Sequence, residues 1–89
     1  MSTVFIALQA NEETRPIIEA IEIDNPTARV NIEPAMVKID ADNFLIIKRE
    51  TIEEQIGREY DLEELQINLI SLSGNVSEDE DTLTLSWNN

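Results

Sequence analysis

From Thr3 to Gln9 the chain alternates Val4, Ile6 and Leu8 with Thr3, Phe5 and Ala7, and both sets are mostly apolar or β-favouring. This pattern predicts a strand covered on both faces. Asn11-Glu12-Glu13-Thr14 then supplies cap-type residues and acids suited to a helix N-terminus, and Ile17, Ala20 and Ile21 follow at helical spacing, predicting a helix to about Ile23. Pro16 leaves two starts open: an Asn11 cap places it too deep in the helix, whereas a Thr14 cap places it in the tolerant first turn. Either way the first turn is expected to be irregular. Asp24-Asn25-Pro26 ends the helix, because the residue before proline is pushed toward extended conformations.

Ala28, Val30 and Ile32 alternate with Arg29, Asn31 and Glu33, predicting a half-buried strand that Pro34 closes at an edge or strand end. Val37, Ile39 and Ala41 give the next strand. Asp42-Asn43 is expected to turn the chain back through Phe44-Leu45-Ile46-Ile47 as a hairpin partner. Thr51-Ile52-Glu53-Glu54 fits a capping box for a short second helix, with Ile52, Ile56 and Tyr60 on one face, and Asp61-Leu62-Glu63-Glu64 repeats the device for a third, with Tyr60 and Leu65 at the staple positions. Ile67, Leu69, Ile70 and Leu72 predict a strand, Gly74-Asn75 a break in a left-handed conformation, and Leu83, Leu85 and Trp87 a last strand. The order β-α-β-β-β-α-α-β-β points to one α+β domain over residues 1–89, with mainly antiparallel sheet packed against two to three helices.

Charge changes the picture of partners more than of fold. Over 89 residues there are 6 basic and 19 acidic side chains, a net charge of −13. Nucleic acids and anionic membranes select basic groups, so neither is expected as a partner. The split is uneven: residues 1–58 hold 11 acids and all 6 bases, whereas 59–89 hold 8 acids and no base. No apolar run approaches the roughly 20 residues that span a bilayer, and Met1-Ser2-Thr3 lacks a basic signal-peptide start. With no cysteine to suggest an oxidising compartment, the cytoplasm is the expected location.

The candidate chemistry is sparse. Without histidine or cysteine there is no unperturbed group titrating near neutrality, no thiolate and no thiolate metal site, and two glycines cannot build a phosphate loop. Asn75, Ser77, Asp79 and Asp81 alternate as calcium ligands would, but counting Asn75 as first, the sixth position is Glu80 and the twelfth Ser86. A calcium loop needs glycine and glutamate there, so the run is expected to be a solvated loop. Met36 after Pro34 is either a core residue or a flexible docking side chain. Arg49 and Arg58 are expected at the surface, and Trp87 is expected as a core anchor.

Glu19-Ala20-Ile21, Asp24-Asn25-Pro26, Pro34-Ala35-Met36-Val37-Lys38-Ile39, Arg49-Glu50-Thr51-Ile52-Glu53-Glu54, Gly57-Arg58, Gly74-Asn75-Val76 and Leu85-Ser86-Trp87 occur in this order along nearly the whole chain. Together they resemble the regulatory, or effector, proteins of bacterial multicomponent di-iron monooxygenases, most closely the phenol hydroxylase branch. The resemblance implies a non-catalytic protein without cofactor or metal that binds the di-iron hydroxylase component and couples electron supply to aromatic hydroxylation. It implies partner contacts at Asn25, Pro34, Ala35, Met36, Arg49, Thr51 and Asn75. On this view the docking face lies between Asn25 and Arg58, with Asn75 at its edge and the acidic C-terminal third as a solvated flank. Two other classes stay open: an acidic nucleic-acid mimic that blocks a DNA-binding enzyme, motivated by the charge, and a hydrolase built on paired carboxylates.

Overall fold

The computed structural model describes residues 3–87. Among the described residues, seven strands form two antiparallel sheets. Strand β1 (Thr3–Gln9) is central in the larger sheet, beside β3 (Met36–Asp42), with β2 (Arg29–Ile32) and β5 (Leu69–Ser73) at the edges. In the smaller sheet β7 (Thr82–Ser86) lies between β4 (Phe44–Lys48) and β6 (Asn75–Glu78). Helices α1 (Arg15–Asp24) and α2 (Arg49–Ile56) pack against each other, and a 3₁₀ turn (Leu62–Glu64) runs into the short α3 (Leu65–Asn68).

Register explains the core. Ile6 stands opposite Ile39 and Leu72, and Leu8 opposite Val37, so one face of the larger sheet is a continuous apolar layer. It joins Leu45, Ile47, Leu83 and Leu85 of the smaller sheet and Ile17, Ala20 and Ile21 of α1 in one buried cluster. The opposite face of β1 is covered differently from expectation: Ala7 is buried, but Phe5 is half-buried beneath Lys38, whose ammonium lies 4.4 Å from the ring centre. A cation over the aromatic face takes the place of a packed element there.

Several expectations hold at residue level. Helix α1 starts after Thr14 with Pro16 in its first turn. Asn11 Oδ1 accepts from the Thr14 N–H at 3.0 Å and the Thr14 hydroxyl donates to Gln9 O at 2.7 Å, giving the irregular entry. Strand β2 is an edge strand. The Asp61 box forms, with Asp61 Oδ1 accepting from Glu63 N–H and Asp61 N–H donating to Glu64 Oε2.

Others are corrected. Strands β3 and β4 are not a hairpin: they belong to different sheets. Asp42 stays in the ladder opposite Thr3, leaving only Asn43, at φ 69°, between the strands. One left-handed residue makes a corner where a hairpin uses two or more. Helix α2 begins at Arg49 without a side-chain cap, so Thr51 is no cap and is buried in the first turn. That helix stops at Gly57, φ 77°, before Tyr60. Ile67 lies in α3 and is exposed. Asn75–Glu78 is a strand where a loop is expected. Trp87 is 44 % exposed, its indole N–H donating to Thr3 O at 2.9 Å, so it closes a sheet end and does not anchor the core. Gly74, φ 130°, joins the two sheets where an added Cβ would lie 2.9 Å from Val4 Cγ1. No helix among the described residues is long and apolar enough to cross a membrane.

Candidate docking surface

Each sequence-predicted contact residue has a definite place. Asn25 follows α1, and its side chain does structural work: Nδ2 donates to Ile21 O at 2.8 Å and to Ile46 O at 2.6 Å, while Oδ1 accepts from Ile46 N–H at 2.9 Å. Both backbone groups of Ile46 are thereby satisfied on the open edge of β4, as a neighbouring strand would satisfy them. Three residues after Ile46, Arg49 opens α2. Arg49 is half-exposed, Glu50 exposed and Thr51 buried, and Arg49 is bonded to Asp81, before β7, whereas Asn25 sits on the other edge of β4.

Pro34, Ala35 and Met36 form the β2–β3 turn, with Pro34 and Ala35 exposed and Met36 half-exposed. The turn is held by Glu33 N–H donating to Met36 O and Ala10 N–H donating to Ala35 O. Asn75 stands in register with Ser86, and Ser86 with Phe44. Strand rise separates that row from Lys48, at the other end of β4, by about 13 Å, and β3 separates the Pro34 turn from the Asn43 corner by about 20 Å. The seven residues thus do not form one patch: the Pro34–Met36 turn, Asn75, the start of α2 with Arg49 and Thr51, and Asn25 on the open edge of β4 are separate places. Exposed Phe44, Val76 and Trp87 beside Asn75 were missed. The missed signal was the turn chemistry: one residue at Asn43 and a glycine at 74 change sheets, which leaves apolar residues at the boundary.

Charge is gathered by the fold. The β6–β7 loop comes beside the segment 59–64, and an open polar hollow of about 490 Å³ is lined by Arg49, Glu59, Tyr60, Asp61, Glu64 and Glu80. Arg49 joins this flank to α2: its N–H donates to Asp81 O at 2.9 Å and its Nη2 to Asp81 Oδ1 at 2.7 Å, with Glu53 at 4.0 Å. The Asp81 hydrogen bond, foremost, raises the Arg49 pKa. Burial, helped by Glu64 and Glu13, pushes the Tyr60 phenol well above its ordinary value. That is the reverse of a group tuned for acid–base chemistry near neutrality. Among the described residues no group of three or more His, Cys, Asp or Glu side chains is placed to hold a metal ion.

A model of the MmoB/DmpM family matches residues 2–86. The chain belongs to that family. The stimulatory component DmpM of phenol 2-monooxygenase from Pseudomonas sp. (strain CF600) is 47 % identical over 88 residues, covering 99 % of this chain and 98 % of DmpM. Among solved structures, a chain from a phenol hydroxylase–regulatory protein complex superposes with a TM-score of 0.94 at 47 % identity, over 98 % of this chain and all of that one. The methane monooxygenase regulatory protein B shares the fold, with a TM-score of 0.75 at 22 % identity over 94 % of this chain and 64 % of its own.

Proposed function

We propose that this MmoB/DmpM-family chain is the cofactorless stimulatory component of a phenol- or toluene-type multicomponent monooxygenase, binding the di-iron hydroxylase and promoting coupled aromatic hydroxylation. Full-length correspondence with DmpM carries the proposal, since both chains are matched almost end to end at 47 % identity. The chemistry belongs to the hydroxylase. A protein that supplies no reacting group stimulates only by binding one hydroxylase state more tightly than another, and the ratio of the two affinities bounds the shift it can cause. The working compartment on this reading is the cytoplasm.

The proposed contacts are Asn25, Pro34, Ala35, Met36, Arg49, Thr51 and Asn75. Pro34, Ala35 and Asn75, which are exposed, and Met36 and Arg49, which are half-exposed, meet the partner directly. Asn25 and buried Thr51 contribute by fixing α1, β4 and the start of α2. The test is turnover of purified hydroxylase plus reductase on phenol, with and without this protein. A higher rate of phenol oxidation per reducing equivalent is expected; no change in rate or coupling would sink the proposal.

A further inference from the structure

Helix α1 does not cover the whole apolar face of the larger sheet. Ile17, Ala20 and Ile21 point into the core, while Arg15, Ile18, Glu19 and Glu22 form a second stripe at helical spacing toward β2. Between that stripe and the sheet runs an open groove of about 550 Å³, walled by Ile18, Val30, Ile32 and Val37. Val30 and Ile32 stand in register with Ile39 and Val37, so they continue the core layer outward past the helix. Ile32 is 81 % exposed, the most open large apolar residue among those described. Strand β2 is a sheet edge, whereas the edge at β4 is occupied by Asn25.

Two observations identify the occupant. The rim carries Glu12, Glu19 and Glu22 against Arg15 alone, so an apolar segment flanked by lysine or arginine fits it better than an acidic one. One end of the groove is also continuous with the Pro34–Met36 turn, since Ile32, Val37 and Ala10 flank that turn and Ala10 N–H donates to Ala35 O. We infer that the α1–β2 groove receives an apolar, basic-flanked segment of the hydroxylase, with Ile32 as its most exposed apolar contact. This rests on the function proposed above and adds a surface to it.

The test measures binding of purified hydroxylase to wild-type protein, to Ile32→Asp, and to Ile70→Asp on the opposite sheet edge. Ile32 is largely in water already, so its replacement should leave the melting temperature near that of wild type. A rise in Kd of about tenfold is expected for Ile32→Asp and little change for Ile70→Asp, because an apolar residue that the partner covers weighs more than one it leaves in water. Glu19→Lys with Glu22→Lys should also weaken binding. Wild-type affinity in a folded Ile32→Asp variant, while wild-type protein still stimulates turnover, overturns the groove and leaves the function standing. If wild-type protein neither binds nor stimulates, the function itself fails. Self-association that Ile32→Asp abolishes, or phenol-induced NMR shifts at Ile18 and Val30, with hydroxylase affinity unchanged in either case, would give the groove to a second copy or a small molecule and overturn the inference.

Discussion

The side-chain amide of Asn25 replaces a neighbouring strand. Its contacts to Ile46 cross 21 residues of sequence and tie the end of α1 to the strand that leads into α2. Removing it leaves an N–H and a C=O with no partner in a part-buried setting, a loss of about 2–3 kcal/mol. Asn25→Ala should therefore lower the urea midpoint clearly, and Asn25→Asp should not rescue it, because a carboxylate cannot donate to Ile46 O. A midpoint within error of wild type for either variant would remove the strand-replacement role. Asp24-Asn25-Pro26 was legible as a helix stop because proline acts on its immediate neighbour. The bonds to Ile46 were not, because they depend on where β4 settles, which no local pattern specifies. Trp87 was misread for a related reason: its alternation with Leu83 and Leu85 is real, but β7 has passed the end of the core when it reaches residue 87.

Elements whose signals are local came through. Strand β1, the edge strand β2, the irregular first turn of α1 and the Asp61 box each follow from a few adjacent residues. The β3–β4 corner and β6 did not. A corner and a hairpin share the same short polar break, and all four residues of β6 are exposed, so no alternation marks them. The loop between β6 and β7 adds side-chain bonds to their four-pair ladder. Asp79 Oδ1 accepts from Asp81 N–H at 2.8 Å, Thr82 N–H at 2.9 Å and the Thr82 hydroxyl at 3.1 Å. The two backbone N–H groups, then the hydroxyl, hold the Asp79 carboxyl below its ordinary value of 3.8. A depressed carboxyl pKa means that this support is complete above the unfolded-state value and is lost as pH falls through the lower folded value. NMR titration should show the Asp81 and Thr82 amide signals steady at neutral pH and moving together with a midpoint below 3.8. A midpoint at or above that value would remove the turn's electrostatic basis.

At the scale of the molecule, the net charge of −13 is less evenly spread in space than along the chain. The acids of 59–64 and 78–81 share one flank, and Arg49 is bound to that flank through Asp81. The sequence sets the acidic segment apart from the proposed docking face, but the fold ties Arg49, one of the proposed contacts, to that segment through Asp81. A field of this kind speeds encounter with a basic surface over roughly a Debye length, about 10 Å at 0.1 M salt, and fades as ions screen it. If the hydroxylase presents a basic groove, the association rate should fall several-fold between 50 and 500 mM salt while dissociation changes less. The flank's share can be isolated. Glu80→Gln removes a charge on the hollow that Arg49 lines. Glu33→Gln removes one beside the Pro34 turn, on a different part of the surface. The former should slow stopped-flow association more at low salt, and the two should converge at high salt. An association rate indifferent to salt would leave the acidity with no part in steering, and its remaining effect would be on solubility through net charge.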